Sequence, residues 1–274
     1  MKENYRVCLI LPPDNPHSLC FREVGLLLLS ALKANGCHCD FTFNQLAPDR
    51  INIVLGYHLL QWQESLKNIR YIPYQLEQLH TKEFPFSPNM ENVLRHGLTI
   101  WDYSEKNISF LKDLGLTAHH LVPGYHENLE MIRPATQQNI DILFYGSIGE
   151  RRKIILEQLH DLCQLKTLFG IYGEKRDKWI CRAKINLNIH HYSKQIFEAV
   201  RVSYLLNNQC FVLSETSVNY CYDKVALTMT GYENIVDSCV AWLNQPATLK
   251  EKAAQNYHDF KTHYPMTELI QKVL

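Results

Sequence analysis

The residues of this chain best suited to chemistry are charged groups at the ends of apolar runs. Glu198 opens a helical stretch that follows a strand-like run and a short polar loop. Its two oxygens suit a pair of vicinal hydroxyls, and an ionised acceptor makes a roughly twofold stronger hydrogen bond than a neutral one. A carboxylate there also complements the positive end of the helix and reaches Arg201 one turn on. Gly146-Ser147, followed by Arg151, Arg152 and Lys153 at the start of another helix, has the composition of a diphosphate site. Glycine lets the backbone approach, free helix N–H groups face the anion, and cations neutralise it. Consecutive helix positions face different ways, so the pattern leaves open which of the three basic residues turns inward. Glu77 interrupts the run Tyr74-Gln-Leu-Glu-Gln-Leu79, where a buried unpaired charge is costly. It is an acceptor contact or general base, or half of a structural ion pair; Asp102, ending another strand, belongs with it.

Around these residues the chain alternates strands and helices, the mark of α/β layering. Expected strands cover Arg6–Leu11, Cys37–Phe43, Ile51–Leu55, Ile69–Tyr74, Leu98–Trp101 and His119–Val122. Helices are expected from Ser18 to Ala34 and from Glu105 to Leu114, with a short one between the third and fourth strands. Phe84-Pro-Phe-Ser-Pro88 reads as a loop. The polar break at Arg133–Gln138 separates two halves, 1–135 and 136–274. The pattern then restarts with a strand at Ile140–Tyr145, a helix at Glu150–Cys163 and a strand at Thr167–Tyr172. Ile185, Leu187 and Ile189 alternate as in a strand, Phe197, Val200 and Tyr204 recur as in a helix, and Cys210–Leu213 is a buried-strand run. Such strand–helix–strand units imply a parallel sheet with ligands at its carboxyl edge. The tail is expected to be helical to Asn244, then over Leu249–Tyr264 and Met266–Leu274.

Composition excludes several classes. The 274 residues are 46% hydrophobic, enough for a core, and Lys plus Arg equals Asp plus Glu at 28 each. A nucleic-acid binder carries a basic excess, so that partner is not expected. Nine cysteines without regular spacing fit reduced thiols. The start of the chain lacks a signal-peptide layout, and no apolar stretch is long enough to span a bilayer. A cytoplasmic protein is expected, with peripheral membrane contact left open. There is no P-loop and no dinucleotide-binding glycine motif. Neither a D-x-D pair nor a zinc-like ligand spacing occurs, so no metal or other cofactor is expected.

The run Asn186-Leu-Asn-Ile-His190, with Phe197-Glu-Ala199, Ser203-Tyr-Leu-Leu206 and Phe211-Val-Leu-Ser-Glu215, resembles the donor half of GT-B glycosyltransferases. It is most similar to the CgeB-like group (glycosyl transferases group 1), named for the spore-maturation protein CgeB. Looser similarity to bacterial proteins of that group extends over Val54–Leu60, Tyr74–Leu79, Ile100–Ser104 and Val122–Tyr125. The resemblance implies an α/β GT-B fold: two Rossmann-like domains facing across a cleft. The N-terminal half would be the acceptor domain and the C-terminal half the nucleotide-sugar domain, its last helices packing back toward the N-terminal domain. In relatives with an E-x7-E motif the second glutamate holds the ribose hydroxyls and the first faces the donor sugar. Glu198 matches the second, while His190 stands at the first.

By the same resemblance Gly146, Ser147 and the basic trio face the diphosphate, Tyr172-Gly173 contacts the base, and Asn188, His190 and Lys194 surround the sugar. His17, His58, Gln78, Asp102 and Tyr125 fall on the acceptor side, with His17, Glu77 and His190 the candidates for catalysis. The implied activity is metal-independent, retaining glycosyl transfer from a nucleotide-sugar to a glycan, lipid, small-molecule or protein acceptor. The alternatives are a non-catalytic sugar-nucleotide or glycan binder, and an epimerase using Glu77 and Asp102.

Overall fold

A computed structural model describes residues 3–79, 81, 84–133, 135, 137–192 and 195–274. The chain divides into two compact units, Met1–His126 with Pro265–Leu274 (unit 1) and Glu127–Tyr264 (unit 2).

Unit 1 runs β1 (Asn4–Leu9), α1 (Arg22–Ala34), β2 (His38–Phe43), β3 (Ile51–Leu55), α2 (Trp62–Ser65), β4 (Tyr71–Gln75), α3 (Pro88–Arg95), β5 (Ile100–Asp102), α4 (Glu105–Asp113) and β6 (Ala118–His120). The strands form one parallel sheet in the order β2-β1-β3-β4-β5-β6. Every residue of β3 is buried, as expected of a parallel strand covered on both faces. Its one polar residue, Asn52, is satisfied by both the N–H (2.8 Å) and the carbonyl (2.7 Å) of Ala47. The expected first helix is split. Pro16 opens a 3-10 segment to Phe21, with Asn15 Oδ1 accepting the His17 N–H, and the α-helix begins only at Arg22. Residues 84–87 stay outside regular structure, but Phe84 packs on His58 and Phe86 on Phe110, each at 5.2 Å between ring centres. Ser87 then caps α3, a helix hidden in the sequence behind its opening proline.

Unit 2 runs β7 (Ile140–Tyr145), α5 (Glu150–His160), β8 (Leu165–Leu168), α6 (Glu174–Ile180), β9 (Ala183–Asn188), α7 (Ala199–Asn207), β10 (Val212–Glu215), β11 (Thr228–Thr230), α8 (Ile235–Leu243) and α9 (Pro246–His263). Its parallel sheet has the order β11-β10-β9-β7-β8. The core joins Ile142, Phe144, Ile185, Leu187 and Leu213 of the sheet to Leu156, Leu159 and Ile235 of the helices. β8 stands earlier than expected and ends at Leu168, because the chain turns at Gly170, whose φ is +68°. Tyr172 and Gly173 therefore lie in the connection to α6 rather than at a strand end. The last helix, α10 (Met266–Gln271), belongs to unit 1. There the Met266 N–H donates to Tyr125 O at 2.8 Å, and Asn35 Nδ2 donates to Thr267 O at 2.9 Å.

Candidate functional site

In unit 2 the strand order reverses between β7 and β9. Chain direction on the two sides of that point leaves a crevice at the carboxyl ends, where open α/β sheets bind ligands. Two segments leave it, the Gly146 turn after β7 and the one that follows β9 from Ile189. Gly146 has φ +132°, and a Cβ there would lie 2.6 Å from Arg201 Nη2 and 3.6 Å from Arg152 Nη1. Glycine is thus required by the backbone and by the guanidinium groups that crowd the turn.

The two loops are joined by charge. Arg152, only 2% exposed, donates from Nε and Nη2 to Ile189 O at 2.9 and 2.6 Å and from Nη1 to Ser147 O at 2.8 Å. Its Nη2 also donates to Glu198 Oε1 at 2.7 Å, an oxygen that accepts the His191 N–H at 3.1 Å. Glu198 is the N-terminal cap residue of α7, yet its side chain makes no capping bond. Its Oε2 instead accepts Arg201 Nη1, which also donates to Asn188 Oδ1 at 2.7 Å. Burial opposes ionisation of Glu198, but Arg201 and Arg152 overcome it and hold the carboxyl below its usual range. Burial pulls the Arg152 guanidinium down to about 10, with Glu198 pushing back.

A second pair lies beside the first. Glu215, at the end of β10 and 1% exposed, takes both prongs of Arg151, Nη1 to Oε2 at 2.7 Å and Nη2 to Oε1. It also accepts the His190 N–H at 3.0 Å and Gln195 Nε2 at 3.3 Å. Arg151 lies 4.0 Å over the Tyr232 ring, and the Tyr232 hydroxyl donates to its carbonyl at 2.7 Å. Three guanidinium groups (151, 152, 201) face two carboxylates (198, 215), so the cluster carries one net positive charge.

Of the other residues singled out in unit 2, Ser147 is exposed and enters through its carbonyl. Asn188 is fully buried, with Nδ2 on Ser214 Oγ at 2.9 Å. The His190 ring is also fully buried; Nε2 lies 3.0 Å from Ser217 Oγ, Nδ1 has no hydrogen-bond partner among the described residues, and burial lowers its pKa. Lys153 turns outward, 3.8 Å from Glu157. Gly173, with φ +56°, caps α6 beside Tyr172. Lys194 lies outside the described residues.

In unit 1, His17 is exposed. His58 packs among the Tyr57 and Phe84 rings, and burial lowers its pKa to about 4. Glu77 is half-buried, and its carbonyl accepts Gln75 and Asn107. Gln78 and Tyr125 are buried. Asp102 is fully buried; its Oδ1 accepts the Ser104 N–H at 2.8 Å and Asn107 Nδ2 at 3.1 Å, and burial pushes its pKa well up. Among the described residues no three His, Cys, Asp or Glu side chains converge as metal ligands.

Sequence reasoning gave no site role to Glu215, Gln195, Ser217 or Tyr232, and it paired Arg201 only with Glu198. A glutamate closing the apolar run Phe211–Ser214 was the available signal for Glu215.

No family model matches the chain. Three proteins of Acanthamoeba polyphaga mimivirus, all named as uncharacterized, resemble it in sequence. R358 is 27% identical over 272 residues, 94% of each chain. L140 is 27% identical over 188 residues, and L137 is 28% identical over 158. The matches span 59% of L140 and 21% of L137. These relatives are viral rather than bacterial.

Among solved structures, trehalose-6-phosphate synthase OtsA superposes with a TM-score of 0.63 at 11% identity, covering 98% of both chains. T4 phage β-glucosyltransferase gives 0.60 at 12%, covering all of this chain and 98% of its own. S. aureus TarM, in a complex containing UDP, gives 0.58 at 9%, covering 94% of this chain and 58% of its own. The chain therefore has the α/β GT-B fold. Among the described residues no helix is long and apolar enough to cross a membrane.

Proposed function

We propose that the chain is a glycosyltransferase that binds a nucleotide-sugar through unit 2 and passes the sugar, without a metal and with retention, to an acceptor held by unit 1. The observation that carries this reading is the cluster of three arginines and two glutamates at the strand-order reversal of unit 2. The fold shared with OtsA and T4 β-glucosyltransferase supports it, as does the E. coli trehalose-6-phosphate structure bound with UDP-2-fluoro glucose.

When the bond from the sugar to the diphosphate breaks, negative charge gathers on the departing phosphate oxygens. A preorganised cation stabilises that charge most where water is excluded. Arg201 Nη2, beside the Gly146 turn, and the free N–H groups at the start of α5 supply it. Arg152 holds the two loops together through their carbonyls and through Glu198. A carboxylate offers about four lone-pair positions, and three N–H groups already occupy Glu198. Its Oε2 accepts one ribose hydroxyl, and the second ribose hydroxyl is held elsewhere. Glu215 fixes Arg151 and the backbone at His190. The enclosed His190 ring, standing where relatives carry a glutamate, favours a second reading, a non-catalytic sugar-nucleotide binder. A thermal-shift panel of nucleotide-sugars followed by donor turnover separates them. A donor at one hundred times its dissociation constant adds about 2.7 kcal/mol. Binding with turnover supports transfer, binding without turnover supports the second reading, and no binding removes both.

A further inference from the structure

The carboxyl edge of the unit 1 sheet holds four buried polar atoms without a hydrogen-bond partner among the described residues: Tyr57 Oη, Gln75 Oε1, Asp102 Oδ2 and Ser104 Oγ. None of the four residues is more than 1% exposed. They share one neighbourhood. Gln75 and Asp102 stand opposite each other in the register of β4 and β5, so their side chains leave the same face of the sheet. Gln75 Nε2 and Asn107 Nδ2 both donate to Glu77 O at 2.8 Å, and Asn107 continues to Asp102 Oδ1. Ser104 is tied to that same oxygen through its N–H. Tyr57 follows the adjacent strand β3; burial, then the charges of Asp102 and Glu77, keep its hydroxyl protonated.

An unmade buried hydrogen bond is costly, and native interiors hold few of them. Four on one network call for an occupant. The chemistry of the open positions selects it. Gln75 offers an acceptor, Asp102 a carboxyl oxygen, and Tyr57 and Ser104 offer hydroxyls that both donate and accept. Among the described residues no lysine or arginine acts on Asp102 or Tyr57, and neighbouring His58 is neutral at physiological pH. Among the described residues the network has nothing to compensate a phosphate or carboxylate.

We propose that Tyr57, Gln75, Asp102 and Ser104 form a binding site for a neutral polyhydroxyl compound. Its hydroxyls donate to Gln75 Oε1 and exchange hydrogen bonds with Asp102 Oδ2, Tyr57 and Ser104. On the glycosyl-transfer reading, used here only to give the compound its role, it is an acceptor sugar or polyol that is unphosphorylated at this end.

Tyr57→Phe and Ser104→Ala remove only hydroxyls that are unpartnered in the free protein. Saturation-transfer NMR of the whole chain with glucose, mannose, N-acetylglucosamine, glycerol and glucose 6-phosphate, each with and without UDP, reads binding directly. The expected result is that a neutral compound of this panel binds at least tenfold more tightly than glucose 6-phosphate. Both variants should bind it at least tenfold more weakly while melting at or above the wild-type temperature. Equal binding to wild type and variants, or a preference for glucose 6-phosphate, overturns the site. A lowered melting temperature in both variants with no sugar bound shows an internal water cluster only and also overturns it. Nucleotide binding is measured on the same samples. Nucleotide bound without sugar removes this site and leaves the glycosyl-transfer reading standing; sugar bound without nucleotide does the reverse.

Discussion

Unit 2 closes its sheet edge with five charged side chains, whereas unit 1 closes its own around Asp102 with neutral polar groups and one carboxyl whose pKa burial raises. In unit 2 almost every charge is answered: Arg152 by three carbonyl contacts and Glu198, Glu215 by Arg151 and the His190 N–H. In unit 1 four polar atoms around Asp102 have no hydrogen-bond partner among the described residues. Buried charge survives only when paired, so the arginine–glutamate cluster is rigid before any ligand arrives and keeps a surplus positive charge for an anion. Neutral polar groups tolerate an unfilled position more cheaply. On the proposed reading, the comparison assigns a diphosphate to unit 2 and hydroxyl groups to unit 1.

Arg152→Met is the most damaging way to break the contrast. It leaves Glu198 and the Ile189 carbonyl facing each other without their shared donor, and loss of one partner of a buried pair costs about 3–5 kcal/mol. Hydrogen exchange should show the loss in unit 2 peptides and little change in unit 1. Gly146→Ala comes next. The left-handed φ and the 2.6 Å approach of Arg201 Nη2 should cost about 1–3 kcal/mol, and calorimetry should show weaker nucleotide binding as the guanidinium is displaced.

Acid pH tests both units. Burial places His58 at about 4 against an ordinary 6.5, so the unfolded chain takes up a proton that folded unit 1 refuses. Its contribution is complete above pH 6.5 and is lost as pH falls toward 4. His190 is lowered for the same reason, so unit 2 weakens from the same pH downward. Glu198, held below its ordinary 4.5, withdraws its support only as pH falls below 4.5. Urea melts at successive pH values check this, and His58→Phe should remove the His58 loss from the unit 1 response alone, leaving the opposite contribution of Asp102, whose raised pKa favours the fold as pH falls. Lys153→Ala is the smallest change, within about 0.5 kcal/mol in stability and without effect on nucleotide affinity, because the side chain points outward.

The sequence carried the sheets well and the site only in part. β3 and β7 have the expected bounds because buried parallel strands are continuous apolar runs with sharp ends. α6 escaped notice because Glu174–Lys178 is polar throughout and shows no apolar stripe. Gly146 and Glu198 were legible from their places after a strand and before a helix. The partners of the charges were not, since Arg152 meets Glu198 across 46 positions and Arg151 meets Glu215 across 64. Only the reversal of strand order brings them together. Nor does periodicity show that Lys153 faces out while Arg152, one position earlier, is buried.

The account rests on Glu198 as a nucleotide contact, and one calorimetric comparison tests that directly. Wild type and Glu198→Gln are titrated with the nucleoside diphosphate that the donor panel selects and with its 2′,3′-dideoxy counterpart. A charge-assisted hydrogen bond is worth roughly 1.5–3 kcal/mol. The variant should therefore bind the ribonucleotide about ten- to a hundredfold more weakly, while the dideoxy form, already weak on wild type, loses little more. A Glu198→Gln protein that melts lower yet binds both ligands as wild type does would make Glu198 a clasp between Arg152 and Arg201 alone, and would contradict the assignment of the nucleotide to this edge.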